Sequence, residues 1–222
     1  MKYYPIFLRV AGRDCLVIGG GKVAAQKVGA LLNAGAAVTV ISPELTPELA
    51  ALAATHAVVH RQKPYQAGDL HGFFLAYAAT DDPTVQTQIA HDAATASVLL
   101  NVIDAPQLCT FITPSVVQRG DLVIATSTSG TSPALARRIR RDLERSFGAE
   151  YELALQLLGR LREWLTQRSL PSAERQRIFG ALVDSPLIDY LRSGQRADVD
   201  RLLATTVGDG VSLRTLGVEL PA

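Results

Sequence analysis

The 222-residue chain lacks the features that mark secreted, membrane-spanning and metal-binding proteins. Its two cysteines, Cys15 and Cys109, are too few for a disulfide framework or a thiolate metal site. No apolar run reaches the roughly 18–20 residues that cross a bilayer, and the N-terminus has no signal-peptide core. The four histidines are scattered, and none stands at metal-ligand spacing from a carboxylate. We therefore expect a soluble, cytoplasmic protein with no membrane contact and no resident metal.

The chain also lacks an excess of charge of either sign. Its 22 basic and 21 acidic residues give a net charge of +1, which argues against a nucleic-acid partner. Hydrophobic residues make up 48% of the sequence, so the chain can bury a real core in one or two domains.

The most informative stretch is a run of three glycines between an apolar segment and an amphipathic one. Residues 15–18 predict a buried strand, and the spacing of apolar residues after Gly21 predicts a helix that ends at Gly35. Gly19, Gly21 and Ala24 form a G-x-G-x-x-A fingerprint, whose glycines let a pyrophosphate lie against the helix N-terminus. A purely structural turn is the alternative. The strand–turn–helix context favours dinucleotide binding.

Apolar, strand-like segments then alternate with helical ones as far as residue 106. The further strands are predicted over residues 37–41, 58–61, 73–79 and 99–103. This alternation predicts an α/β fold with a doubly wound parallel sheet of the Rossmann type. Before the glycine motif, residues 4–10 predict a short lead-in strand or an extended arm.

The end of the second strand bears on the choice of cofactor. An acid there hydrogen-bonds the ribose of NAD, whereas an arginine suits the 2′-phosphate of NADP. The chain has Ser42, Pro43 and Glu44 at this point and no basic residue before Arg61. We therefore predict NAD as the cofactor, although Glu44 also fits the role of a solvated loop acid.

After Pro106 the alternation stops. Residues 111–117 and 122–126 predict a β-hairpin outside the parallel sheet. The hydroxyl-rich stretch 127–132 then leads into a helix with Ser132 as its N-cap. This stretch fits either an anion site or a polar loop with one cap. The helix carries five arginines off its apolar stripe, which form a solvated face or attract a polyanionic small molecule. They are Arg137, Arg138, Arg140, Arg141 and Arg145.

The remainder of the chain has a helical pattern as far as residue 204, and the tail from Gly208 carries little signal. We expect this tail to be poorly packed. The predicted division is a nucleotide-binding domain over residues 1–112, a dimerisation segment over 113–148 and a helical domain over 149–222.

Several motifs together resemble the precorrin-2 dehydrogenase family. They are GGGKVA, ATDDP, NVIDAP, FITPSVV and TSGTSPALAR. The resemblance implies NAD-dependent oxidation of precorrin-2 to sirohydrochlorin in siroheme synthesis, by a homodimer. Some members of that family also insert iron, so Fe²⁺ is a possible second substrate.

The resemblance also implies roles for particular residues. Asp104 matches the proposed catalytic acid/base of the family, and a turn residue before Pro106 is the alternative reading. The predicted cofactor-binding residues are Gly19, Gly21, Lys22, Val23, Ser42, Pro43, Glu44, Thr80 and Asp81. The predicted substrate-binding residues are Asn101, Ser127, Thr128, Ser129, Thr131 and Arg137. Some family members have two serines and two glycines in the hydroxyl-rich loop, so Ser129 replaces a glycine here.

One further hypothesis belongs to a different class of protein. The same domain could bind NAD as a regulatory sensor without catalysis. A sensor needs neither Asp104 nor the hydroxyl-rich loop, so we favour an enzyme.

Overall fold

The computed structural model describes residues 2–168 and 170–220, and it divides after Thr113 into two compact units. No helix within those two ranges is long and apolar enough to cross a bilayer. The functional division at residues 112 and 148 stays a prediction.

The first unit is built around five parallel strands with helices between them. In chain order the elements are β1 (Asp14–Ile18), α1 (Lys22–Asn33), β2 (Ala37–Ile41), α2 (Pro47–Ala54), β3 (Val59–Arg61), β4 (Leu75–Ala78), α3 (Pro83–Ala96) and β5 (Leu99–Val102). The sheet order is β3-β2-β1-β4-β5. The chain passes from one side of β1 to the other between β3 and β4, which creates a ligand crevice at the carboxyl ends of the strands. The predicted doubly wound fold is confirmed.

The central strands β1 and β4 read as near-continuous apolar runs because both of their faces are covered. Residues of β1 alternate between two hydrophobic clusters, with Cys15 and Val17 in one and Leu16 and Ile18 in the other. Val17 pairs with Val40 of β2 on one side and with Tyr77 of β4 on the other. Burial on both faces therefore fixes β1 at the centre of the sheet.

The lead-in strand is not formed. Residues 3–10 contain no helix or strand, and the side chains of Tyr4, Ile6 and Phe7 are exposed. The physical reason is that β1 already pairs with β2 and β4, so neither of its edges is free for another strand. The strand alternative is therefore wrong for this segment.

Local capping signals determine where the helices begin and end. The Oδ1 atom of Asp82 accepts hydrogen bonds from the backbone N–H of Thr84 at 2.8 Å and of Val85 at 3.3 Å, which starts α3. Helix α1 ends before Gly35, whose φ of +76° is readily adopted only by glycine. Thr46 occupies the N-cap of α2, but its hydroxyl makes no capping bond.

A segment after β5 is joined to that strand largely by side-chain hydrogen bonds. Thr110 Oγ1 accepts from the Leu100 N–H at 2.8 Å, and the Thr110 N–H donates to the Leu100 carbonyl at 2.8 Å. The Val102 N–H donates to Cys109 Sγ at 3.2 Å, and the Asn101 side-chain amide donates to the Phe111 carbonyl at 3.0 Å. Residues 111–113 therefore belong to the first unit and not to the hairpin, which begins later than predicted.

The second unit consists of a two-stranded antiparallel hairpin followed by helices. Its elements are β6 (Ser115–Arg119), β7 (Leu122–Thr126), α4 (Pro133–Ser146), α5 (Glu150–Thr166), α6 (Ser172–Val183), α7 (Leu187–Arg192) and α8 (Arg196–Val207). The Ser132 hydroxyl caps α4 by accepting from the Leu135 N–H at 3.2 Å, as predicted.

A buried carboxylate lies at the start of the helical core. Glu150 Oε1 accepts hydrogen bonds from Arg192 Nε at 3.1 Å and Nη2 at 3.0 Å, which joins α5 to α7. Burial raises the pKa of Glu150, but hydrogen bonds from its own backbone N–H and from Arg192 outweigh burial and lower the pKa below its ordinary value. A lowered carboxylate pKa contributes stability at neutral pH that is lost as pH falls through the folded-state value.

The C-terminal tail packs into the core of the second unit, contrary to our expectation. Its buried side chains are Val211, Leu213, Leu216, Val218 and Leu220. They face buried leucines of α5 and the later helices, and the Leu213 N–H donates to the Asp200 carboxylate at 2.7 Å. The tail contains no helix as far as residue 220, so its apolar residues follow neither regular period and the sequence pattern missed them.

We predict that Leu213→Ala lowers the free energy of unfolding by about 2–4 kcal/mol, because it leaves a cavity in a filled core. Urea denaturation measures this change. Arg214→Ala, at the exposed neighbouring position, is the control and should stay within about 0.5 kcal/mol of the unmodified protein. Equal stability of both variants would contradict the packing of the tail.

Candidate functional site

The glycine turn after β1 is pressed against the ends of the two neighbouring strands. The Gly19 N–H donates to the carbonyl of Ile41, the last residue of β2, at 2.9 Å. A Cβ atom at Gly19 would lie 2.3 Å from the Ala79 carbonyl oxygen, and one at Gly20 would lie 1.8 Å from the Glu44 carbonyl oxygen. Both positions therefore require glycine, and Gly19 also has a φ of +118°.

Gly21 differs from its neighbours because it faces open space. A Cβ atom built there meets no atom within 4 Å, and Gly21 is the N-cap of α1 without a side-chain capping bond. The first turn of α1 contains no acid, so its backbone N–H groups and the positive end of the helix dipole are available to an anion. Ala24 is buried and lets α1 pack closely on the sheet. These residues fit the pyrophosphate of a dinucleotide.

The loop after β2 forms a second side of this site. Ser42 is buried, and its hydroxyl donates to the Glu44 carbonyl at 2.6 Å, so it shapes the loop. The Thr46 N–H donates to the Gly20 carbonyl at 2.9 Å, which joins the loop to the glycine turn. The side chains of Pro43 and Glu44 are exposed. The Glu44 carboxylate is therefore accessible to a ligand, whereas the Ser42 hydroxyl is already used.

Thr46, the residue before Pro47 at the start of α2, adds a further polar group to this site. Its Oγ1 atom is buried and has no hydrogen-bond partner among the described residues. An unsatisfied buried hydroxyl costs about 1–3 kcal/mol. The Thr46 N–H bonds to the glycine turn, so the unsatisfied Thr46 hydroxyl lies in a loop that contacts this turn. The only sequence signal was a hydroxyl residue before Pro47.

The end of β4 forms the third side. The Ala79 N–H donates to the Ile18 carbonyl at 2.7 Å, and the Thr80 carbonyl accepts from the Gln86 side chain at 2.7 Å. Asp81 is exposed, as are Lys22 and Val23 in the first turn of α1. The structure thus gathers the predicted cofactor residues near the carboxyl ends of β1, β2 and β4.

Asp104 lies in a tight turn after β5. Its φ is +59°, its side chain is exposed, and the following Ala105 N–H donates back to the Val102 carbonyl at 3.3 Å. Cys109 approaches this turn, with Sγ 3.4 Å from the Ala105 carbonyl oxygen. The Asp104 carboxylate is therefore free to act at the carboxyl edge of the sheet, while the buried Asn101 amide is occupied in holding Phe111.

The hydroxyl-rich loop lies in the second unit, and much of its hydrogen bonding is internal. Thr128 Oγ1 donates to the Ser132 carbonyl at 3.1 Å and accepts from the Ser132 N–H at 3.2 Å. Ser127 Oγ accepts from the Ser129 N–H at 3.0 Å. Ser129 has a φ of +54°, a conformation that glycine adopts more readily than serine. Thr131 and Arg137 are exposed.

Metal-ligating side chains are not clustered in the parts of the chain that the structure describes. No group of three or more His, Cys, Asp or Glu residues there is placed to hold a metal ion.

Comparison with known proteins agrees with this geometry. Residues 6–115 match a family model described as "Putative NAD(P)-binding", and residues 119–146 match one described as "Sirohaem biosynthesis protein central". The first unit is therefore an NAD(P)-binding domain of the Rossmann class.

Similar proteins of known name show to which family within this class the chain belongs. A siroheme synthase of Thioalkalivibrio sulfidiphilus is 36% identical over 99% of this chain and 45% of its own length. One from Methylobacillus flagellatus is 41% identical over 88% of this chain and 42% of its own length. The structure of SirC, a precorrin-2 dehydrogenase, superposes with a TM-score of 0.77 at 26% identity, over 90% of this chain and 98% of SirC. The chain belongs to the family of siroheme synthases and precorrin-2 dehydrogenases, and it spans less than half the length of the siroheme synthases that it matches.

We predict that Gly21→Asp keeps the fold but abolishes NAD⁺ binding. The new side chain enters open space, and its carboxylate repels the pyrophosphate. Calorimetric titration measures binding, and thermal unfolding measures the fold. Gly29→Asp, at another open position of α1, is the control and should still bind. Unchanged affinity of Gly21→Asp would contradict the site.

Proposed function

We propose that the protein catalyses the NAD-dependent dehydrogenation of precorrin-2 to sirohydrochlorin. The observation that carries this proposal is the open glycine turn at the N-terminus of α1, in a chain that superposes on SirC over 90% of its length. The test is to supply precorrin-2 and NAD⁺ anaerobically and to follow the absorption of the product. Iron insertion can be tested in the same cuvette by adding Fe²⁺ after the dehydrogenation is complete.

NAD is the cofactor that the residues after β2 favour. The exposed Glu44 carboxylate is available to a ribose hydroxyl and would repel a 2′-phosphate. Arg61, the first basic residue after this strand, stacks on the Phe73 ring at 5.7 Å from its centroid. Bound NAD⁺ supplies the hydride acceptor. The glycine turn and the first turn of α1 hold its pyrophosphate. Tighter binding of NADP⁺ than of NAD⁺ would overturn the choice of NAD as the cofactor.

Asp104 is the acid/base in this proposal. Its exposed carboxylate lies at the carboxyl edge of the sheet, where ligands of doubly wound folds bind. There it can accept the proton that the macrocycle loses as the hydride leaves. The left-handed backbone at Asp104 turns the chain sharply after β5, which keeps the side chain clear of the sheet core.

The substrate's carboxylates are held by the second unit. Precorrin-2 carries eight carboxylate side chains, for which exposed hydroxyls and guanidinium groups are suitable partners. Thr131 and Arg137 present such groups to solvent. Thr128 and Ser127 instead keep the loop in shape, since their hydroxyls already bond within it.

We also propose that the protein is a homodimer built on residues 114–148, which the structure describes throughout. Within this segment only Val117 and Ala136 are buried apolar residues. Apolar side chains on the outer face of the hairpin and along α4 remain exposed. They are Val116, Val123, Leu135 and Ile139. A second copy would bury this surface.

For catalysis, we predict that Asp104→Asn lowers the dehydrogenation rate by roughly 10²–10⁴-fold. Asparagine accepts the left-handed backbone as readily as aspartate, so the fold and the NAD⁺ affinity should not change. Asp121→Asn, in the exposed turn of the hairpin, is the control with the same change of charge. Near-normal turnover by a folded Asp104→Asn protein would remove this residue from the mechanism.

For assembly, we predict that Val123→Glu yields a monomer in sedimentation velocity at micromolar concentration, because it places a charge in the apolar contact. Val183→Glu makes the same change at a valine of α6 that is 63% exposed, and it should remain dimeric. A monomeric unmodified protein would refute the dimer itself.

A further inference from the structure

Positive charge is concentrated in one part of this nearly neutral chain. Residues 114–148 contain six arginines and three acids, whereas the whole chain has a net charge of +1. Five of these arginines lie on α4. The first turn of α4 has no acid, so the positive end of its dipole is not offset by a side chain there.

Three of the arginines on α4 form ion pairs within the helix, and two of them share one carboxylate. Arg138 Nε lies 3.1 Å from the carboxylate of Asp142, which Arg145 also contacts. Arg140 pairs with Glu144. Both acids of the helix are thereby used.

The remaining two, Arg137 and Arg141, have no ion-pair partner among the described residues, and both are exposed. They are four residues apart, so they lie on the same side of α4, about 6 Å apart along its axis. Two like charges at this spacing repel each other, and an anion that contacts both removes the repulsion.

Three of the five hydroxyl groups in the neighbouring loop are already engaged in hydrogen bonds. The Thr128 hydroxyl donates to the Ser132 carbonyl, and the Ser132 hydroxyl accepts from a backbone N–H at the start of α4. The Ser127 hydroxyl accepts from the Ser129 N–H. The free guanidinium groups are therefore the strongest anion ligands on this surface, and guanidinium matches the geometry of a carboxylate.

We propose that Arg137 and Arg141 together bind two carboxylates on one edge of the polycarboxylate tetrapyrrole. This inference rests on the proposed function and deepens it, because it assigns Arg141, which the motifs did not single out, to substrate recognition. The loop sets the shape of the surface, and the arginine pair supplies the charge.

The binding experiment uses uroporphyrin, a fluorescent octacarboxylate tetrapyrrole, as the probe at fixed ionic strength. Arg141→Gln should raise its dissociation constant about three- to tenfold, within the range of exposed charge pairs and charge-assisted hydrogen bonds. The double variant with Arg137→Gln should weaken binding further and flatten its salt dependence. Arg138→Gln removes one cation from the same helix, but a paired one, and should change the constant less than twofold.

The outcomes separate this inference from the proposed function. Equal effects of Arg141→Gln and Arg138→Gln would overturn the arginine pair, as would failure of the unmodified protein to bind uroporphyrin. With precorrin-2, Arg141→Gln should raise KM and leave kcat unchanged, because the pair would bind carboxylate side chains of the substrate and not its reacting carbon atoms. An unmodified protein that binds uroporphyrin but does not oxidise precorrin-2 would refute the proposed reaction and leave the pair standing.

Discussion

The close contact between the glycine turn and its two neighbouring loops is the constraint on which the nucleotide site depends. The carbonyl groups of Ala79 and Glu44 occupy the space that side chains at residues 19 and 20 would need. This contact holds the loops after β2 and β4 beside the N-terminus of α1. Only Gly21 is left facing outward. One set of backbone contacts therefore determines both the shape of the turn and the location of the open space.

The sheet could be predicted from sequence because its central strands β1 and β4 are buried on both faces, so that each reads as an apolar run. The location of the site residues could be predicted as well, because the carboxyl ends of parallel strands meet at one edge of the sheet. What each polar side chain bonds to could not be predicted. Asn101, Ser42 and Thr128 were all predicted to bind ligands. Each side chain instead donates a hydrogen bond to a backbone carbonyl of a nearby residue. Such pairings depend on loop geometry that no periodic pattern records.

Two irregular segments show what composition alone does not predict. Residues 4–10 and the tail after Gly208 are both apolar and lack regular secondary structure, yet the first is largely exposed and the second is buried. Composition cannot separate these cases. The difference lies in whether a neighbouring surface has room: β1 has no free edge, whereas the helices of the second unit leave a hydrophobic face that Leu213 and Leu216 cover.

The side-chain hydrogen bonds from Cys109 and Thr110 to β5 have a consequence for self-association. β5 is an edge strand, and its outward N–H groups at Leu100 and Val102 are already occupied by these two side chains. The opposite edge, β3, is only three residues long. Occupied or very short edges offer no template for another chain. The nucleotide-binding sheet is thus protected at both edges against the addition of a further strand from another chain.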